Sequence, residues 1–99
     1  MRSDFSIVTG SAIASGDTTL TVAATTTALI VVSGNSASRI ALFLIKSNAS
    51  SSQTCYVQKI GGGSDVSGAN ASGNFKITNG ASAALNVYCF VFEGSIAFP

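Results

Sequence analysis

Three stretches of this chain are apolar on both faces of a would-be strand, and that leaves few folds open to it. In residues 39–47, Ile40, Leu42 and Leu44 alternate with Ala41, Phe43 and Ile45. In residues 85–93, Leu85, Val87, Cys89 and Val91 alternate with Tyr88, Phe90 and Phe92. In residues 28–33, Leu29 and Val31 alternate with Ile30 and Val32. Successive strand side chains point to opposite faces, so an antiparallel sheet usually buries one set and wets the other. These three stretches have no set to wet. Parallel sheets covered by helices share the pattern, but no stretch here keeps the i, i+3, i+4, i+7 apolar stripe of a helix. The expected cover for the second face is another copy or another protein. The competing reading is central strands with a long loop folded over them.

The remaining apolar segments are also short, rich in β-branched and aromatic residues, and bounded by turn residues. Strands are expected at 5–9, 18–23, 28–33, 39–47, 53–60, 74–78 and 85–93, with a short last piece at 95–98. The separators are built from Asn, Gly, Ser and Ala, which suit turns. About seven or eight such strands predict an all-β, single-domain antiparallel β-sandwich or jelly roll. Residues 1–17 are expected to form an N-terminal arm or edge segment and residues 18–99 the sandwich. The segment 61–73, with Gly61-Gly62-Gly63-Ser64, reads as a mobile surface loop.

Charge is scarce: 9% of residues against about 25% in an average soluble domain. Serine, alanine, glycine and threonine supply about half the chain, and Ser, Thr, Asn and Gly can wet a surface without charge. The five basic and four acidic residues are scattered, so no basic stripe exists to neutralise phosphates and nucleic-acid binding is not expected. No apolar run reaches the roughly 18 residues of a membrane helix, and no membrane insertion is expected. Arg2 and Ala12-Ile13-Ala14 outline a secretory signal, but Ser6, Thr9, Gly10 and Ser11 make its centre too polar. A near-neutral chain has little charge repulsion to oppose association.

The residues that carry chemistry are few. There is no histidine, so none of the 16 serines has the usual base, and no Ser-x-x-Lys occurs. The four carboxylates are dispersed, with no sequence-close acid/base pair. Cys55 and Cys89 lack metal-ligand spacing and cannot build a four-ligand zinc site. They are either two buried thiols or, if their strands are neighbours, a disulfide. The glycine-rich 61–65 lacks the Lys-Ser/Thr of a phosphate loop. Asp65 alone is too little for calcium. The threonines at 18, 19, 21 and 25–27 are too irregular for a repeating ladder, and two tyrosines without tryptophan make a poor sugar platform. The expectation is no catalytic residues, no metal and no cofactor.

From residue 28 to 93 the order of features resembles a known group. An apolar strand leads to Asn35, and Arg39 opens a strand ending at Ser47-Asn48. A Ser-rich turn leads to Cys55-Tyr56-Val57. A Gly-rich excursion returns through Phe75-Lys76-Ile77-Thr78-Asn79-Gly80, and residues 87–93 close the domain. This resembles small all-β virion proteins of bacteriophages: head decoration, spike-base, and head–tail or tail components. The resemblance implies a non-enzymatic structural subunit that assembles in host cytoplasm and works in the virion. It would act by self-association and by contact with other virion proteins, for example in capsid decoration or stabilisation.

Candidate core or subunit-contact residues are Ile30, Val32, Phe43, Ile45, Tyr88, Phe90 and Phe92. Candidate loop contacts are Asn48, Ser50, Asp65 and Asn70. The alternatives are a receptor- or glycan-binding module of a spike or tail, using those loops, and an extracellular fibre or matrix subunit.

Overall fold

The three doubly apolar stretches become the three central strands of one sheet. A computed structural model describes residues 5–48 and 53–99. In chain order the strands are β1 (Ser6–Ile13), β2 (Gly16–Val22), β3 (Thr27–Ser33), β4 (Ala41–Ser47), β5 (Cys55–Gly62), β6 (Val66–Ala71), β7 (Asn74–Asn79), β8 (Leu85–Glu93) and β9 (Ile96–Ala97). A five-stranded sheet runs β1-β8-β3-β4-β5 and a four-stranded sheet β6-β7-β2-β9. Every pairing is antiparallel. Among the described residues the only helical turn is a short 3₁₀ piece, Ala37–Arg39, which delays the start of β4 to Ala41. The chain is an all-β sandwich.

The core lies between the sheets. Ala28, Ile30 and Val32 of β3, Ala41, Phe43 and Ile45 of β4, and Leu85, Val87, Cys89 and Val91 of β8 all point inward and are buried. Leu20, Val22, Val66, Phe75 and Ile77 face them from the other sheet. Phe43 and Phe75 meet across the sandwich edge to face, with ring centroids 5.4 Å apart, a geometry that aligns the positive ring edge with a negative face.

One expectation fails. The segment 61–73 is not a mobile loop but the end of β5, a corner and the whole of β6. Its Gly, Ala, Ser and Asn have weak strand propensity, yet two local features settle the backbone. Ser72 and Gly73 have φ of 53° and 90° between the paired residues Ala71 and Asn74. A two-residue hairpin turn with both central residues at positive φ matches the twist of its strands. Small residues are also required here: a Cβ on Gly68 would lie 2.6 Å from the Phe75 ring and 3.1 Å from that of Phe43. Polar side chains pin the same region. The Asn70 side-chain oxygen accepts from the amides of Cys55 and Gly73, each at 2.9 Å.

Residues 6–13 form the edge strand β1, paired with β8. The sandwich ends are held by buried polar groups. Ser47 donates to the Ala23 carbonyl at 2.5 Å and accepts from the Thr26 amide at 2.9 Å. Asn79 donates to the carbonyls of Ile13 and Ala83 and accepts from the Ala81 amide. Each removes the cost of a buried unpaired backbone group.

Candidate interaction surface

The middle of the outer face of the five-stranded sheet is an apolar plane, flanked by Thr9 of β1 and Gln58 of β5 and bounded by Ser33 and Asn86 at one end and Thr27, Lys46 and Glu93 at the other. The pairing register arranges it in cross-strand rows. Ile7, Phe90, Leu29 and Leu44 form one row. Thr9, Tyr88, Val31 and Leu42 form the next. Phe5 and Phe92 extend the plane at one end, with ring centroids 5.8 Å apart. Tyr56 and Ile60 of β5 and Ile40 before β4 extend it on the far side. Exposure is large for apolar groups: 57% at Ile7, 43% at Phe92, 39% at Leu44 and 58% at Tyr56. Among the described residues no long loop folds over this face, and segment 61–73 belongs to β5 and β6.

The opposite outer surface has the other character. Asp17, Thr19 and Thr21 of β2, Lys76 and Thr78 of β7, and Ser67 and Ala69 of β6 share it by strand alternation and register. Thr78 donates to Asp17 at 2.7 Å, and Lys76 lies 3.9 Å from the same carboxylate. One face of the sandwich is therefore wetted by small polar groups, while the other is not. Monomeric proteins rarely expose contiguous apolar patches beyond a few hundred Å².

An ion pair sits at one end of the apolar plane. Lys46 Nζ lies 2.8 Å from Glu93 Oε2, and Thr27 Oγ1 donates to the same oxygen at 3.1 Å. Thr27 is level with Glu93 on one side and Lys46 on the other. A β-bulge at Thr27/Ala28 brings the Glu93 side chain to the outer face, although its odd-numbered neighbours in β8 point inward.

The structure divides the sequence-derived candidates. Ile30, Val32, Phe43 and Ile45 are fully buried between the sheets and contact no outside surface. Tyr88, Phe90 and Phe92 lie on the outer plane. Leu29, Val31, Leu42 and Leu44 belong with them and were not singled out. The signal for them was present in the polar residues of matching parity: Thr27 and Ser33 share parity with Leu29 and Val31, Lys46 with Leu42 and Leu44, and Asn86 with Tyr88 and Phe90.

Of the loop candidates, Asn48 braces its own loop by accepting from the Thr54 amide at 3.0 Å. Asp65 accepts from the Ser38 hydroxyl at 3.1 Å and lies 3.6 Å from Arg39 Nε. Asn70 lies in β6 rather than a loop. Ser50 lies outside the described residues. Asp65 and Asn70 are thus engaged in holding corners of the fold.

The cysteines occupy β5 and β8, three strand spacings apart, or about 14 Å. That exceeds the roughly 7 Å limit for Cα atoms in a disulfide, and both are buried free thiols. Burial pushes the Cys55 thiol up to about 11 and the Cys89 thiol up to about 12. Both stay protonated at neutral pH and are poor nucleophiles. Among the described residues no group of three or more His, Cys, Asp or Glu side chains gathers as a metal site, and no helix is long and apolar enough to cross a membrane. Comparison with protein-family models, curated proteins and solved structures finds no match to this chain.

Proposed function

We propose that this protein is a non-enzymatic assembly subunit whose apolar outer sheet face is covered by protein in its working state. The observation that carries this reading is the contrast between the two outer faces. Covering a plane of Phe, Leu, Ile, Val and Tyr side chains releases apolar surface from water, the main favourable term in association. The opposite face, with Thr, Ser, Ala and one loose ion pair, is suited to remain wet. The setting suggested by the order of features from residue 28 to 93 is a virus particle, with the chain contributing to capsid decoration or stabilisation beside other virion proteins. A glycan-binding module has less behind it, because Asp65 and Asn70 are engaged within the fold.

The test is stoichiometric incorporation. Particles purified from a producing host should contain the chain in a fixed ratio to the major shell protein, and Leu44→Lys should abolish that incorporation while leaving a folded subunit. A chain absent from such particles, or a Leu44→Lys subunit incorporated as well as the parent, would refute the proposal.

A further inference from the structure

We infer that the cover is a second copy of this chain, seated face to face on the five-stranded sheet about a two-fold axis running along β3. The inference rests on the reading that this face is covered, and it names the partner and the register.

The argument starts from strand order. β3 is central, with β8 on one side and β4 on the other. A half-turn about an axis along β3, lying between two facing sheets, carries β8 of the second copy over β4 of the first. It leaves every cross-strand row at its own level. Glu93 of each copy then stands over Lys46 of the other, because both are level with Thr27. The two intrachain ion pairs become one ring of four charges alternating in sign. Complementary charge across an interface selects the register and suppresses wrong ones.

The central strands of the apolar rows match under the same operation, while at the flanks Ile7 falls over Gln58. Phe90 of one copy falls over Leu44 of the other, and Tyr88 over Leu42. The aromatic strand thus meets the aliphatic one, while Leu29 and Val31 meet their own equivalents near the axis. A two-fold across the strands would instead lay Lys46 and Glu93 over the opposite end, near Ser33 and Asn86. Each ion pair would then be desolvated with no opposite charge to meet, a costly arrangement.

The area also suffices. Five strands about 4.8 Å apart and seven residues long at about 3.3 Å give a plane of roughly 550 Å² in projection. Side-chain relief brings this toward the ~800 Å² per partner of a standard interface. That is roughly one-sixth of the subunit's 5093 Å². Facing sheets cross at about 30°, which sets the axis about 15° from β3 and moves the charged row, about 10 Å from the centre of the strand, sideways by about 5 Å, one strand spacing, a distance a lysine side chain spans.

The test is a charge-reversal mixing experiment read by sedimentation equilibrium. Wild type should dimerise. Lys46→Glu alone makes all four groups in the ring negative, and Glu93→Lys alone makes all four positive, so each variant should self-associate about tenfold or more weakly. An equimolar mixture of the two should form a mixed dimer near wild-type affinity, because every contact between copies is again of opposite sign. The combined variant Lys46→Glu/Glu93→Lys restores both intrachain and interchain pairs and should dimerise as wild type, which separates lost affinity from lost folding.

A wild-type chain that stays monomeric to millimolar concentration overturns the inference. So does a dimer indifferent to both single changes or not recovered by mixing, whose contact would then lie elsewhere, for instance at the free edge of β1. If the monomer's incorporation into particles is abolished by Leu44→Lys, the assembly reading stands and only the two-fold falls. Incorporation indifferent to Leu44→Lys removes both.

Discussion

Phe43 and Leu44 are chain neighbours on opposite faces of β4, and truncating each should fail in a different way. Phe43 is fully buried and its ring meets Phe75 edge to face at 5.4 Å. Phe→Ala in a core costs about 3–5 kcal/mol in transfer and cavity terms. A 99-residue domain has only about 5–15 kcal/mol of stability in total. At about 4–8 °C per kcal/mol for a domain of this size, Phe43→Ala should lower the melting temperature of the dissociated subunit by more than about 12 °C, or prevent folding. Leu44 is 39% exposed and its removal leaves a surface dent that water fills. Losing its remaining contacts should cost about 1 kcal/mol, a fall of less than about 8 °C. The effect on assembly is reversed, since Leu44 lies in the proposed interface and Phe43 does not. The assay is thermal unfolding at concentrations where the chain is monomeric, with sedimentation of the same samples at high concentration. Leu44→Ala should lose the rise of melting temperature with protein concentration that linked association produces. Equal losses of monomer stability for the two variants would refute the assignment of faces, and with it the reasoning from strand parity.

Further outcomes follow from other contacts. Ser47→Ala leaves the Ala23 carbonyl and the Thr26 amide without their buried partner, and chemical denaturation should show a loss of about 1–3 kcal/mol; no change would mean that water replaces the hydroxyl. Gly68→Ala drives a Cβ against the Phe75 ring, 2.6 Å away, and should cost about 1–3 kcal/mol by overpacking. Combining it with Phe75→Leu should cost less than the sum of the two single changes. Both thiols should resist an aqueous thiol reagent at pH 8 in the folded protein and react after unfolding. Because burial raises their values from 9.0 to about 11 and about 12, the folded state holds its thiol protons where the unfolded state releases them. Their contribution to stability is whole below about pH 9 and is lost as pH rises toward 12, so a Cys55→Ala/Cys89→Ala variant should show a shallower alkaline decline.

Much of the fold was legible because strand signals are local. Alternation, β-branched residues and Asn/Gly/Ser punctuation placed eight of the nine strands among the described residues. β6 was missed because its small residues have weak strand propensity and answer to the rings of Phe75, in the next strand, and of Phe43, which is distant in sequence. The Ser72-Gly73 turn was the local clue. The candidate surface was half legible. That β3, β4 and β8 carry two apolar faces could be read directly, while the choice of Phe43 and Ile45 over Leu42 and Leu44 as possible contacts could not be made from hydrophobicity alone. Lys46, Thr27 and Ser33 marked the outer parity of β3 and β4. In β8 the bulge at Thr27/Ala28 puts Glu93 out of step with that rule.

The sequence by itself determined that the chain is all-β, that charge is scarce, and that three strands have apolar side chains on both faces. These properties depend on residue type and on a spacing of two, which survive without knowledge of partners. Tertiary structure alone decided that the three strands lie side by side, so their second faces merge into one plane rather than three separate stripes. It decided that Cys55 and Cys89 stand too far apart to bond, and that Lys46 and Glu93, 47 residues apart in the chain, flank Thr27 as a pair. Strand order sets these relations, and it follows from how the whole chain closes its core, not from any local run of residues.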